Sequence, residues 1–256
     1  MIHDHAIIDP GAEIADDVEI GAYSIIGKDV VIESGTWIGS HVVIEGPTHI
    51  GKDNRIYQFN SLGGAPQDKK YAGEASKLII GDRNTIREYC TFNRGTVQDR
   101  GETVIGNDNW IMAYVHIAHD CIIGNDTVFA NCATLAGHVE VEDKVIFGAF
   151  TIIHQFCRIG YHAFSGMNSL IKSDVPPYTM ISGNPAAPHG INTEGLKRSG
   201  YSKEEIQMLR RAYKCIYKSD NRLQEAIIEL NALAESCEAV RLLPEFLNQS
   251  KRGIIR

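Results

Sequence analysis

Residues 116–160 decide the fold of this chain and read HIAHDCIIGNDTVFANCATLAGHVEVEDKVIFGAFTIIHQFCRIG. An aliphatic or aromatic residue returns at every sixth position of this stretch, from Ile117 to Ile159. A period of six matches neither the 3.6-residue period of an α-helix nor the two-residue period of a strand. It is typical of a hexapeptide β-helix, in which three short strands form one triangular coil of about 18 residues.

The same period extends over most of the chain. Stepping by six from Ile2 to Leu62 meets an aliphatic residue every time, and a further run extends from Ile105 to Ile171 with only Ser165 polar. A period of six sustained this long argues against an alternating β-sandwich. We therefore predict a mainly β protein, with a parallel β-helix over residues 1–190 and a small C-terminal α-helical domain over 191–256.

The carboxyl-terminal part loses this period after a segment rich in proline, which cannot donate to a strand ladder. Ser202 and Glu205 form a capping box, and apolar residues follow at helical spacing. Further helices are predicted over 223–234 and about 238–248, with Pro244 bending or dividing the last one.

Two polar breaks interrupt the repeat, near residues 63–78 and 93–103. Long excursions from a repeat usually lie on one face, and that face is often functional. The first break contains D-K-K-Y, Asp68 to Tyr71, which places an acid, two bases and an aromatic ring together and favours a functional loop. Packing against a neighbouring subunit is the alternative for either loop.

Composition and charge restrict the class of protein. No apolar run reaches the ~18–20 residues needed to cross a bilayer, so we expect no membrane insertion. The net charge of −7 argues against a nucleic-acid partner. The amino terminus lacks a signal-peptide pattern, and the six cysteines show no C-x-x-C pair, so we expect reduced thiols and a cytoplasmic location.

Four histidines lie out of phase with the apolar repeat and should therefore lie on the outside of the coil: His116, His119, His138 and His154. His119 and His138 are separated by one coil plus one residue, so we expect them close together on neighbouring coils. Asp120 follows His119 directly; if both face outward at a corner, the carboxylate can orient the imidazole. A histidine with a pKa near ~6.5 is a suitable general base at neutral pH, so we predict the active site here.

Metal binding and covalent catalysis by cysteine are the alternative chemistries for this cluster. Three histidines on a β-helix can bind zinc, but the spacing of three between His116 and His119 differs from the spacing of five in β-helix carbonic anhydrases. We therefore expect no metal. The cysteines of this region have no evident activator and are interpreted as packing residues. Gly137 lets a backbone N–H approach a substrate oxygen closely, which suits an oxyanion hole.

Five motifs together resemble the UDP-N-acetylglucosamine O-acyltransferases, which open lipid A biosynthesis in Gram-negative bacteria: H-I-A-H-D-C, A-T-L-A-G-H-V, H-Q-F-C-R-I-G, G-A-P-Q-D-K-K-Y and G-L-K-R. The resemblance covers essentially the full chain. It implies a left-handed coil, an exception to the right-handed crossover rule, and a homotrimer with active sites between subunits. It also implies transfer of an (R)-3-hydroxyacyl group from acyl carrier protein to the glucosamine 3-hydroxyl, with no cofactor beyond the carrier's phosphopantetheine arm.

The resemblance also implies roles for single residues. His119 would be the general base, Asp120 its partner, and the Gly137 N–H would stabilise the oxyanion. The sugar and acyl-phosphopantetheine groups would be held by Asp68, Lys70, His138, His154 and Gln155. The nucleotide side would be lined by His116, Asn192, Glu194 and Arg198.

Two further positions bear on specificity. Met167 lies where these enzymes close the far end of the acyl groove, and its side chain would restrict the groove to shorter chains. A flexible core filler pointing inward is the alternative reading of this methionine. Ser199 stands where a second arginine is often found. Basic residues near the first helix would suit an acidic carrier protein, although a solvated helix face is the simpler explanation.

Three other classes remain as alternatives. An acetyltransferase that uses coenzyme A would share the coil and the histidine base, but would not need the D-K-K-Y loop or the helical tail. The related N-acyltransferase normally carries an extra amino-terminal domain, whereas the repeat here begins at Ile2. A non-enzymatic solenoid should present a regular array, and the outward positions here are irregular.

Overall fold

The computed structural model describes residues 1–219 and 222–256 as a triangular parallel β-helix followed by a helical domain. Strands of two to five residues return to the same face at every third strand, so that three sheets run along the coil. The predicted fold class, a left-handed parallel β-helix with a small C-terminal helical domain, is confirmed.

The chain visits the three sheets in a fixed order. Sheet 1 comprises the strands Ile7–Ile8, Ile25–Ile26, Val43–Ile44, Ser61–Gly64, Thr91–Asn93, His116–Ile117, Thr134–Leu135, Ile152–Ile153 and Leu170–Ile171. Sheet 2 comprises Glu13–Ile14, Val30–Ile32, Thr48–Ile50, Lys77–Ile80, Glu102–Ile105, Ile122–Ile123, Glu140–Val141 and Arg158–Ile159. Sheet 3 comprises Glu19–Ile20, Trp37–Ile38, Arg55–Ile56, Thr85–Ile86, Trp110–Ile111, Val128–Phe129, Ile146–Phe147, Phe164–Ser165, Thr179–Ser182 and the antiparallel Ala187–Ile191.

The repeated apolar residues fill the inside of the coil. From Ile20 onward they are buried, whereas Ile2 at the open amino-terminal end is 42% exposed. Burying one such side chain fully is worth about 1.5–3 kcal/mol, so the stacked column stabilises the coil strongly. Ser165, the polar exception, is also buried, and its hydroxyl lies 2.8 Å from the Thr151 hydroxyl. Ile255 packs into the same core and closes the carboxyl-terminal end.

Three corners join the sheets. The loop corner leads from sheet 1 to sheet 2, the ladder corner from sheet 2 to sheet 3, and the aromatic corner from sheet 3 back to sheet 1. The two breaks in the repeat form the first loop, residues 65–76, and the second loop, residues 94–101. Both loops leave the coil at the loop corner. Asp120, His138 and Phe156 occupy one column of this corner with positive φ values of 59–64°, which L-residues rarely adopt.

The helical domain contains α1 (Thr193–Arg198), α2 (Lys203–Tyr217), α3 (Leu223–Ala234), a 3₁₀ turn (Glu238–Val240) and α4 (Leu242–Gln249). The capping box of Ser202 and Glu205 is present at the start of α2. The expectation that Pro244 bends or divides the last helix is wrong. The division falls at Arg241, and Pro244 lies in the first turn of α4, where an N–H has no intrahelical partner. In the described parts of the chain, none of the helices has the length and apolarity required to span a bilayer.

Candidate active site

His119 and Asp120 form a hydrogen-bonded pair at the loop corner. His119 Nδ1 lies 2.8 Å from Asp120 Oδ2. Because the carboxylate accepts, Nδ1 carries the proton and Nε2 presents a lone pair. The His119 side chain is 14% exposed, but Asp120 is buried. The expectation that both groups face outward is therefore wrong for Asp120, whose left-handed backbone conformation turns it beneath the second loop.

The second loop completes the surroundings of Asp120. The backbone N–H of Thr96 donates to Asp120 Oδ1 at 2.8 Å, and the Thr96 hydroxyl donates to Oδ2 at 2.6 Å. Burial raises the pKa of Asp120, but the hydrogen bonds from His119 and Thr96 outweigh burial, so that this pKa lies below its ordinary value. Asp120 is therefore an anion at neutral pH and can stabilise a protonated imidazole.

Gly137 lies one coil above His119, in the same column of the loop corner. A Cβ at this position would lie 2.6 Å from His119 Cε1 and 2.8 Å from Nε2. Only glycine therefore leaves the imidazole where it is. Among the described residues, the Gly137 N–H donates no hydrogen bond, so it is available to an oxygen of a ligand.

His138 is held between the coil and the second loop. Its ring stacks on Phe156, with the ring centroids 4.3 Å apart, and lies edge-on to His119 at 5.0 Å. His138 Nδ1 lies 2.8 Å from Asp99 Oδ2 and 3.9 Å from Asp120 Oδ2. The two carboxylates fix Nδ1 as a donor, and the predicted proximity of the two histidines is observed.

A cleft of about 860 Å³ opens beside His138. Both loops and the C-terminal segment form its walls, which include Asp68, Lys70, Thr96, Asp99, Phe156 and Arg252. Acids, bases and one aromatic ring thus face a common space, as a polar ligand with anionic groups requires. The structure therefore places in one cleft Asp68, Lys70 and His138, three residues that the resemblance assigns to substrate binding.

Three other predicted binding residues lie close to this cleft but do not line it. His154 and Gln155 are exposed at the same corner, one coil above Gly137. His116 lies on sheet 1, where its Nδ1 is 2.7 Å from the Thr91 hydroxyl. Burial lowers the pKa of His116, which keeps this imidazole neutral at neutral pH.

The other three residues predicted for the nucleotide side, Asn192, Glu194 and Arg198, lie on α1 or at its start, beside the ladder corner. Asn192 caps α1, where its Oδ1 accepts from the Gly195 N–H at 3.0 Å. Ser199 ends the helix, and its hydroxyl lies 2.8 Å from Nε2 of His162, a residue of the ladder corner. Glu194 and Arg198 are exposed on the same short helix. A single chain thus does not place these residues beside His119.

Met167 lies at the aromatic corner and is 74% exposed. The alternative of a core filler that points inward is therefore wrong. The outward positions of sheet 1 become apolar towards the level of Met167. One column runs from His116 through Thr134 to Ile152 and Leu170.

Reasoning from sequence missed Phe156 and Arg252 of the cleft and the two loop residues that hydrogen-bond Asp120 and His138, namely Thr96 and Asp99. Both loop residues lie in the second break, which has no motif comparable to the D-K-K-Y of the first, so the sequence singled out no residue there. The position of the break in the repeat could have indicated its location, because Phe92 directly precedes the break and pairs with Ile117 on the next coil. The loop therefore leaves the coil one layer below His119, at the same corner.

A metal could in principle use His119, Asp120 and His138, whose ligand atoms lie within 4.8 Å of one another. The Asp120 oxygens, however, already accept hydrogen bonds from His119 Nδ1 and from both Thr96 donors. His138 Nδ1 is engaged by Asp99. A catalytic zinc needs three protein ligands with free lone pairs, so this arrangement fits a hydrogen-bonded network better.

Comparison with known proteins places the chain in a family. A family model described as UDP-N-acetylglucosamine O-acyltransferase, domain 2, matches residues 174–255, and a model of bacterial transferase hexapeptides matches residues 1–34 and 102–137. An acyl-[acyl-carrier-protein]--UDP-N-acetylglucosamine O-acyltransferase of Thiobacillus denitrificans is 62% identical over 255 residues, which are 100% of this chain and 99% of the relative.

Solved structures agree. LpxA from Acinetobacter baumannii has a TM-score of 0.98 at 51% identity, covering 100% of this chain and 99% of that one. The UDP-N-acetylglucosamine acyltransferase of Francisella novicida has a TM-score of 0.98 at 42% identity, covering 100% and 94%. The resemblance seen in the sequence is thus confirmed, and the chain is an acyltransferase that belongs to the UDP-N-acetylglucosamine O-acyltransferase family.

Proposed function

We propose that this enzyme transfers an (R)-3-hydroxyacyl group from acyl carrier protein to the 3-hydroxyl of UDP-N-acetylglucosamine, the first step of lipid A biosynthesis. The names of its relatives support the donor and the acceptor. One observation supports the mechanism above all. His119 Nδ1 is hydrogen-bonded to a buried carboxylate, and the Gly137 N–H above it donates no hydrogen bond to any residue that the structure describes, which leaves Nε2 as a base beside an oxyanion donor.

The proposed reaction is a direct acyl transfer. His119 Nε2 accepts the proton of the sugar 3-hydroxyl while that oxygen attacks the thioester carbonyl carbon. The Gly137 N–H stabilises the oxyanion, and Asp120 stabilises the imidazolium. Collapse breaks the carbon–sulfur bond, and His119 returns the proton to the departing thiolate of phosphopantetheine.

A covalent acyl-enzyme is not required for this reaction. Cys121 is the cysteine adjacent to the pair, and burial raises the pKa of its thiol to about 12. Its thiolate is therefore scarce at neutral pH, and thiolate is the nucleophilic form. Direct transfer with His119 as the base fits the surroundings better than a cysteine nucleophile does.

We infer that the functional unit is a homotrimer. In a threefold arrangement the ladder corner of one copy can adjoin the loop corner of the next. Asn192, which caps α1, and Glu194 and Arg198 within it would then face the cleft beside His138 of a neighbouring copy and bind the nucleotide there. From the loop corner, the sugar and the donor arm would be contacted by Asp68, Lys70, His138, His154 and Gln155, and His116 would contribute to the nucleotide side.

The acyl chain would lie along the outside of sheet 1. This direction is supported by the change from His116 and Thr134 to the apolar Ile152 and Leu170 on one column. Met167 lies at the far end of this path and is exposed, so its side chain can limit the length of the chain.

The choice of acyl donor tests the proposed function. We expect purified enzyme to acylate UDP-N-acetylglucosamine with carrier-bound 3-hydroxyacyl groups, and acetyl coenzyme A to give little product. We also expect a chelator to leave turnover unchanged, because the reaction uses no metal and no cofactor. Equal turnover with acetyl coenzyme A would overturn the assignment of the donor.

We also propose that the enzyme works in the cytoplasm.

A further inference from the structure

We infer that Thr96 is a positioning residue of the His119–Asp120 pair, which makes the second loop part of the catalytic machinery. The inference rests on the proposed function, because it requires His119 to act as the base. Thr96 is 1% exposed, and its N–H and its hydroxyl both donate to Asp120, so these two groups act on the reaction through Asp120.

Thr96 fixes the plane of the Asp120 carboxylate. Its N–H donates to Oδ1 at 2.8 Å and its hydroxyl to Oδ2 at 2.6 Å, so each oxygen has one donor from the same residue. Oδ2 is also the oxygen that accepts from His119 Nδ1. A carboxylate gripped at both oxygens cannot rotate, and the imidazole bonded to it keeps its tautomer and its direction.

The backbone holds Thr96 in place without help from its side chain. The carbonyl of Thr96 accepts from the Gly101 N–H at 2.9 Å, which closes the loop on itself. Gly95 permits this close return, because a Cβ there would lie 2.2 Å from the backbone nitrogen of Glu102. Removing the Thr96 hydroxyl should therefore leave the loop folded and weaken only its grip on Asp120.

The sequence offers a matched control at another corner. Thr127 is also fully buried, and its hydroxyl donates to Asn109 Oδ1 at 2.6 Å. Thr127→Val removes the same kind of hydrogen bond as Thr96→Val, but at the ladder corner. A merely structural role of Thr96 predicts the same consequences for both variants.

The test compares Thr96→Val, Thr96→Ser and Thr127→Val with wild type, using carrier-bound acyl donor and UDP-N-acetylglucosamine. We expect Thr96→Val to lower kcat roughly 10–100-fold with KM for the nucleotide sugar almost unchanged. Thr96→Ser keeps the hydroxyl and should restore most of kcat, and Thr127→Val should retain wild-type kcat. Thr96→Ala serves if the valine variant does not fold.

Two readouts separate positioning from general loss of structure. Without the Thr96 hydroxyl, the Asp120 carboxylate loses a hydrogen-bond donor and therefore stabilises the protonated imidazole of His119 more strongly. The base is then lost at a higher pH, so the acidic limb of the kcat/KM profile should move to higher pH in Thr96→Val. In an Asp120→Ala background, Thr96→Val should cause no further loss, since its partner is gone. Wild-type kcat in Thr96→Val, or an equal loss in both backgrounds, would overturn the inference.

These outcomes are distinct from failure of the proposed function. If His119→Ala keeps wild-type turnover, the base is assigned wrongly and the proposed mechanism fails. If His119→Ala is nearly inactive while Thr96→Val behaves like Thr127→Val, only the role of Thr96 is overturned.

Discussion

The ladder corner and the loop corner both bury polar side chains, but they use them differently. At the ladder corner the Asn84 N–H donates to Asn54 Oδ1 at 2.9 Å, and the Asn109 N–H donates to Asn84 Oδ1 at 3.0 Å. The Thr127 N–H and hydroxyl both donate to Asn109 Oδ1. Each rung resembles the one below it, and these buried groups satisfy one another along the coil.

At the loop corner the polar contacts do not repeat. Asp120 is hydrogen-bonded to Thr96 and to His119, and His138 is hydrogen-bonded to Asp99. These contacts join the coil to the second loop. Within residues 1–219 and 222–256, His119 Nε2 makes no hydrogen bond, and the network ends in a free base. The groups of the ladder hydrogen-bond one another and so stabilise the fold, whereas the loop-corner network leaves His119 Nε2 available to a ligand.

The largest expected effect separates the two corners by activity. His119→Ala removes the base, so we expect kcat to fall about 10²–10⁴-fold while the protein stays folded. Asn109→Ala, at the ladder corner, should keep wild-type kcat below its unfolding temperature. Steady-state kinetics with carrier-bound donor measure both, and near-normal turnover of His119→Ala would contradict the contrast.

Gly137→Ala should have the next largest effect. Its methyl group would lie 2.6 Å from the imidazole, which must then move. A shift of about 1 Å in a catalytic group can lower the rate about 10²-fold, and we expect a loss of that order in kcat. Gly124→Ala is the control, because its Cβ would meet Asp143 at the ladder corner instead. If both glycine variants had the same kcat, the absence of a side chain above His119 would not matter for the rate.

Asn109→Ala should reveal the structural role of the ladder corner. Removing its side-chain oxygen leaves the Thr127 N–H and hydroxyl buried without their acceptor. Unsatisfied buried groups cost about 1–3 kcal/mol, so we expect the free energy of unfolding to fall by about this amount. Denaturant titration measures it. An unchanged unfolding midpoint would mean that the ladder is dispensable.

The smallest expected effect is at the aromatic corner and concerns the preferred length of the acyl donor. Met167→Gly opens the proposed groove, and two further methylenes buried at ~0.8 kcal/mol each would favour a donor longer by one carbon pair about tenfold. Relative kcat/KM across a series of 3-hydroxyacyl carriers measures this preference. Tyr23→Ala, at the amino-terminal end of the same corner, should not change it. If the preferred length also stays the same in Met167→Gly, Met167 does not set the length.

The sequence predicts the coil well because one inward residue per strand repeats at a constant interval. It does not predict α1, since a helix of six residues is too short to show a 3.6-residue pattern. The helix boundary at Arg241 depends on packing around α4 and was likewise missed.

The candidate site was predictable where its residues are neighbours in sequence or lie one coil apart. His119 with Asp120, and Gly137 above them, are of this kind. Thr96 and Asp99 were missed because their contacts depend on how an irregular loop folds back, which no period encodes. The burial of Asp120 was missed because it results from a left-handed backbone turn under that loop.

The pH dependence of kcat/KM most directly tests the claim that His119 accepts the substrate proton. We expect kcat/KM of the wild type to fall tenfold per pH unit on the acidic side, as protonation of one group removes the base. The residual activity of His119→Ala should lack this limb. An acidic limb of the same slope in His119→Ala would assign the proton transfer to another group and contradict the proposed mechanism.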